Sequence, residues 1–128
     1  MDIRRDDQYL YEPFLGPSSQ EDIKVYAVGP NYTYAESRKS PWVDGIVERD
    51  SKGKEVRYVV SLTEEEKSFG SRITKEFRAF VCGFDILRFE EGKSFVCDVN
   101  GWSLVKGSEE YPKECAAQLA ILLQQISI

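Results

Sequence analysis

Histidine is missing altogether from the 128 residues. That removes Ser-His-Asp and Cys-His hydrolases, HExxH metalloproteases and any phosphohistidine route. Carboxylates, amines, guanidiniums and metal ions remain as the available chemistry. Cysteine is scarce, and Cys82, Cys97 and Cys115 show no CxxC spacing, which argues against a zinc or redox centre. Their apolar neighbours predict buried free thiols in a reducing, cytosolic compartment. Long apolar runs are lacking too. The longest, Ala116 to Leu123, is broken by Gln118 and falls well short of the roughly 20 residues of a membrane span, so it reads as a buried helix. Positive charge is in deficit, with 17 Lys and Arg against 22 Asp and Glu, which speaks against a general nucleic-acid binder.

The apolar fraction of 41% and charged fraction of 30% are those of an ordinary globular domain, and the length suits one. Tyr9–Phe14 reads as a strand with nothing before it, so the chain is expected to begin inside a larger domain. Ile23–Val28 and Tyr32–Lys39 alternate around the turn Gly29-Pro30-Asn31 and predict a hairpin. Val56–Leu62 is a further strand. Thr63 and Glu66 form a capping box that opens a helix over 64–80, with Phe69, Ile73, Phe77 and Phe80 at helical spacing. Cys82–Phe89 and Ser94–Val99 flank Glu91-Gly92 as a second hairpin, 108–112 is a loop, and Lys113–Ile126 is a terminal helix.

The second hairpin carries the sharpest expectation. If Glu91 and Gly92 make the turn, Glu90 pairs with Lys93 and Asp85 falls directly opposite Asp98, with Asn100 on the same face. Opposed carboxylates repel at Cβ separations of about 5 Å. A shared Mg²⁺, completed by phosphate oxygens and water, removes the repulsion. The alternative is that both aspartates face solvent, and a slip of one residue would separate them. Between residues 24 and 57, seven basic side chains face five acidic ones, reversing the sign of the whole chain. Arg38, Arg49 and Arg57 could clamp phosphates, with Lys24 and Lys106 as point charges.

These residues resemble the kinase domain of the Vip1-type diphosphoinositol pentakisphosphate kinases of the ATP-grasp superfamily. The similarity runs through YLYEPF at 9–14, DIKVYAVG at 22–29, YAESRKSPWVDGIVERDSKGKEVRY at 34–58, VCGFDILR at 81–88 and FVCDVNGWSLVK at 95–106. The resemblance implies an α+β fold, the C-terminal lobe of an ATP-grasp domain, with an antiparallel sheet and packed helices. It implies ATP and Mg²⁺ as cofactors and transfer of the γ-phosphoryl group to a phosphate of an inositol polyphosphate. Asp85, Asp98 and Asn100 are similar to the family's metal ligands. Glu12 resembles the adenine hinge and Asp22 a ribose contact. Lys24 and Arg49 resemble contacts to ATP phosphates or to substrate phosphates. Arg57, Ser103 and Lys106 resemble part of the inositol polyphosphate pocket. Arg49, Arg57 and Asp98 are the expected catalytic set. The family's N-terminal subdomain and its histidine-phosphatase-like domain have no counterpart in these residues, so residues 1–128 are expected to be one partial domain whose partner is that subdomain. The rival readings are an ATP-grasp ligase, a non-catalytic inositol-phosphate-binding fragment, and a folded lobe that binds no ligand.

Overall fold

The computed structural model describes residues 7–12, 21–40, 44–89 and 92–126. Five strands form one antiparallel sheet: β1 (Glu21–Val28), β2 (Tyr32–Lys39), β3 (Tyr58–Val59), β4 (Val81–Arg88) and β5 (Ser94–Asn100), in the order β3-β2-β1-β4-β5. Two helices, α1 (Glu64–Glu76) and α2 (Glu110–Ile126), complete an α+β fold.

Period-two patterning divides the sheet into two faces. Ile23, Val25 and Ala27 of β1, Ala35 of β2, and Cys82, Phe84 and Ile86 of β4 point one way and form the main core. Helix α1 lays Phe69 and Ile73 on this face. Its Gly70 permits the close approach, because a Cβ there would stand 2.6 Å from Thr33 Cγ2. The capping box is as expected: Thr63 Oγ1 accepts from the Glu66 N–H, and Glu66 accepts from the Thr63 N–H. Glu66 is also buried, and its carboxylate receives Arg88 of β4 and Ser94 of β5, tying the helix start to both strands.

The opposite face is half covered. Tyr26, Val28 and Val81 pack with Val105 and Tyr111, so the first turn of α2 covers one end of it. The other end, where β1 carries Asp22 and Lys24, stays open and forms the cleft described below.

Several expectations need correction. Tyr9–Glu12 are exposed and carry no strand, while residues 13 and 14 of that expected strand lie outside the described residues. The strand expected over Val56–Leu62 shrinks to Tyr58–Val59, because only two of its residues pair with β2. Helix α1 stops at Glu76 rather than at residue 80. Arg78 takes φ +50, its N–H donates to the Lys75 carbonyl and that of Ala79 to the Thr74 carbonyl, which is a Schellman ending with arginine where glycine is usual. Phe80 instead packs in the second core. Helix α2 starts three residues before the expected Lys113, because Ser108 Oγ accepts from the Tyr111 N–H and Pro112 is tolerated in a first turn. It is not a buried helix: Tyr111 is its buried residue, and Leu119, Ile121 and Leu123 are exposed. Of the thiols, Cys82 is buried as expected, but Cys97 is exposed and Cys115 is half-buried.

Candidate functional site

The open face is organised by one rung across four strands. Glu36 pairs with Lys24, Lys24 with Asp85, and Asp85 with Asp98. The side chains of paired residues share a face, so a cation is flanked by carboxylates along this line. Lys24 Nζ lies 3.8 Å from Asp85 Oδ1. Two rungs away, on the same face, Asn100 pairs with Gly83, and its amide nitrogen donates to Asp98 Oδ2 at 3.1 Å.

Asp98 reaches its place by a different route from the expected one. Near the turn the register is one residue shorter: Phe89 N–H donates to the Lys93 carbonyl, Arg88 pairs with Ser94, and Ile86 pairs with Val96. Glu90, expected to pair with Lys93, and Glu91 of the expected turn lie outside the described residues, and Gly92 has φ +73. A β-bulge between Asp85 and Ile86 then absorbs Cys97 and restores the pairing of Asp85 with Asp98. The bulge also turns Cys97 into the cleft, where its Sγ sits 3.5 Å from the Asp85 carbonyl.

Around this rung lies a cleft of about 330 Å³ lined by Asp22, Lys24, Arg38, Arg57 and Asp85, among others. Arg38 Nε is 3.5 Å from Asp22, and its Nη1 is 3.0 Å from Glu55. Arg57 donates from Nη2 to Glu55 at 2.9 Å and from Nη1 to the Tyr26 hydroxyl at 3.1 Å, with Glu36 at 3.6 Å. The expected surplus of positive charge is therefore absent from the cleft. Lys24, Arg38 and Arg57 are matched there by Asp22, Glu36 and Asp85. Asp22 and Asp85, from outside residues 24–57, cancel the surplus of that stretch, and its exposed Arg49, Lys52 and Lys54 lie outside the cleft among acidic neighbours.

Burial pushes the Asp85 carboxyl up, Lys24 pulls it back, and the facing Asp98 pushes it up again. Its anionic form is thus short of compensation. Among the described residues, no three His, Cys, Asp or Glu side chains converge as a metal cluster. Two carboxylates and one amide oxygen are nevertheless the kind of donor set Mg²⁺ accepts when phosphate oxygens and water complete its shell. The residues present fit the ion on that basis.

The remaining expected site residues are dispersed. Asp22 lines the cleft. Ser103 lies against Gly83, where a Cβ would come within 2.7 Å of Ser103 Cβ, so the segment after β5 folds back over the site face. Lys106 is exposed beyond it. Glu12 is exposed and outside any strand. Arg49 is exposed and donates to the Gly53 carbonyl within its own turn, away from the cleft lining. Sequence reasoning missed Tyr26, Glu36 and Glu55. The pairing of Glu36 with Lys24 follows from the Gly29-Pro30-Asn31 turn and was legible there, whereas no local pattern marks Glu55.

Against known proteins, residues 5–123 match the RimK-like ATP-grasp domain family. The chain is 54% identical over 114 residues to the inositol hexakisphosphate and diphosphoinositol-pentakisphosphate kinase 1 of Rattus norvegicus, covering 89% of this chain and 8% of that protein. It is 53% identical over 117 residues to the corresponding kinase VIP1 of Arabidopsis thaliana, covering 91% and 11%. The chain therefore spans about a tenth of the length of these relatives. Among solved structures, the ATP-grasp ligase PsnB complexed with a precursor peptide and AMPPNP is similar at a TM-score of 0.58, with 17% identity over 80% of this chain and 32% of the ligase. A PsnB complex described with Mg and ADP gives 0.56, at 20% identity over 80% of this chain and 32% of the ligase. That likeness shows the ATP-grasp fold.

Proposed function

Because the chain belongs to the RimK-like ATP-grasp family, we propose that Asp85, Asp98 and Asn100 hold Mg²⁺ against the phosphates of ATP, in a kinase that phosphorylates a phosphate group of inositol hexakisphosphate or diphosphoinositol pentakisphosphate. The single observation that carries this reading is the rung Glu36–Lys24–Asp85–Asp98, a facing carboxylate pair beside a lysine on an open sheet face. Identity above 50% to kinases of that name supports the substrate class.

The acceptor in this reaction is an anionic phosphate oxygen, which needs no general base. A site without histidine suits it. The difficulty is repulsion between two polyanions, so catalysis rests on positioning and charge neutralisation. Bound Mg²⁺ supplies the charge neutralisation that the cleft, with its cations already matched, does not. With Asp85 given to the metal, Lys24 would be free to contact a phosphate, and Arg38 and Arg57 would orient the transferring and accepting groups. Asp22 takes the ribose, Glu12 the adenine side, and Arg49, Ser103 and Lys106 the outer phosphates. The remaining contacts come from an N-terminal subdomain of a longer protein, a partner for the open side of the cleft. The three free thiols suit a cytosolic setting. Among the described residues no helix is long and apolar enough to cross a membrane.

A second reading is favoured by the fold alone: an ATP-grasp ligase, which would share the metal site and activate a carboxylate. The test is Asp98→Asn, assayed by Mn²⁺ titration and by ATP turnover with inositol hexakisphosphate and with amino-acid acceptors. Loss of Mn²⁺ binding together with loss of inositol-phosphate-dependent turnover is expected. Undiminished turnover would sink the metal assignment, and turnover only with a carboxylate acceptor would favour the ligase.

A further inference from the structure

Glu55 has no place in the expected site, yet it touches two of the cleft's three cations. One oxygen receives Arg38 Nη1 at 3.0 Å, and the other receives Arg57 Nη2 at 2.9 Å and Nε at 3.2 Å. Glu55 does not itself line the cleft, whereas both arginines do. Its carboxylate therefore meets the guanidiniums from the outer side.

A rigid arm carries it. Residues 48–56 close on themselves: Val56 N–H donates to the Glu48 carbonyl, Asp50 N–H to the Lys54 carbonyl, and Arg49 bridges Glu55. The Asp50 carboxylate accepts from the N–H groups of Lys52 and Lys54, and Gly53 supplies the positive φ of +77 that the turn requires. Arginine carries five N–H donors in a fixed fork, and an arginine held in place loses less freedom when it binds. Arg57 commits one edge to Glu55 and turns Nη1 toward Tyr26 and Glu36 on the cleft side. Arg38 commits Nη1 to Glu55 and faces Asp22 with Nε, which leaves Nη2 uncommitted among the described residues.

An isolated surface ion pair would contribute little. Here one half-buried carboxylate joins two arginines from different segments, with two N–H groups of one guanidinium on a single oxygen. We propose that Glu55 is a positioning residue, bracing Arg38 and Arg57 from outside the cleft so that their remaining N–H groups present one fork to a polyphosphate. This rests on the phosphate-binding reading of the cleft given above. Glu55 adds a negative charge near a polyanion, but salt screens that repulsion, whereas salt does not restore the orientation of two freed arginines.

The test compares the protein with its Glu55→Ala and Glu55→Gln variants by two measurements. The first is the ¹⁵N NMR signal of the Arg57 Nε–H, which reports ordering without any ligand. The second is binding of tripolyphosphate and of inositol hexakisphosphate by calorimetry at low salt and at about 0.5 M salt. The Ala variant should lose the slowly exchanging Arg57 Nε–H signal and bind both probes about tenfold more weakly, as expected for two side chains newly immobilised on binding. That deficit should persist at high salt, and the Gln variant, which keeps an acceptor oxygen, should recover part of it. An unchanged Arg57 signal overturns the proposal, and so does equal or tighter probe binding by the Ala variant. If the unsubstituted protein binds neither probe while the Arg57 signal still depends on Glu55, the phosphate reading of the cleft fails and the brace remains.

Discussion

Glu66 offers a direct test of how the first helix is fastened to the sheet that presents the cleft. Its carboxylate is fully buried, and burial alone would raise its pKa. Arg88 opposes this through two hydrogen bonds of 2.7 Å, aided by the Thr63 N–H at 2.8 Å and the Ser94 hydroxyl at 2.7 Å, and the net effect holds it at about 2 instead of 4.5. A group whose pKa is lowered by folding stabilises the fold above its unfolded value and loses that contribution as pH falls toward the folded value. At 1.36 kcal/mol per tenfold in proton affinity, the difference contributes about 3 kcal/mol at neutral pH. Roughly 2 kcal/mol of this should disappear between pH 7 and pH 3, and nearly all of it below about pH 2. Glu66→Gln removes the charge while keeping the volume, and it should cost about 3 kcal/mol at pH 7 by leaving Arg88 without its counter-ion. Urea unfolding of both proteins from pH 7 to pH 2.5 provides the assay. Subtracting one stability curve from the other isolates Glu66 from the other carboxylates, and the difference should shrink as the pH falls. A difference that is independent of pH would refute the argument, since the ionised carboxylate would then have no role.

Three further outcomes follow from the packing of the sheet and its helices. Gly83→Ala places a Cβ within 2.7 Å of Ser103 Cβ, so the segment after β5 must shift at a cost of about 1–3 kcal/mol, read from thermal unfolding and from the fluorescence of nearby Trp102. Arg78→Gly should stabilise the protein by about 0.5–1 kcal/mol in urea unfolding, because glycine occupies the left-handed region without strain, and no loss of phosphate binding should accompany it. Asp98→Asn should lower the pKa of Asp85 when followed by ¹³C NMR, since the facing carboxylate adds to the effect of burial; an unchanged Asp85 would mean the two side chains do not interact.

Much of this protein is written in short stretches of its sequence. The capping box at Thr63 and Glu66, the hairpin from Ile23 to Lys39 and the alternation that buries Ile23, Val25 and Ala27 all arise from contacts within a few residues or from a single period. Local chemistry accounts for them. The meeting of Asp85 and Asp98 was also legible, though the inferred turn was off by one residue and the bulge at Cys97 compensated for it. A bulge depends on how two strands twist against each other, and no local signal announces it. The burial of α2 was misread for a similar reason. Its apolar residues promise a covered helix, but what covers a helix is decided by distant chain, and among the described residues Tyr111 is buried and Cys115 half-buried against the sheet while Leu119, Ile121 and Leu123 stay exposed. Charge misled in the same way. Counting basic residues predicted a positive pocket, yet tertiary packing gave each cleft cation a carboxylate, among them Glu55, which lies 17 residues from Arg38. The sequence by itself determined the hairpin of β1 and β2, the capping box of α1 and the candidate ligands, because those depend on near neighbours. The bulge, the covered face and the contacts of Glu55 with Arg38 were decided only by the tertiary structure, because strand twist and packing between separated segments leave no local signal.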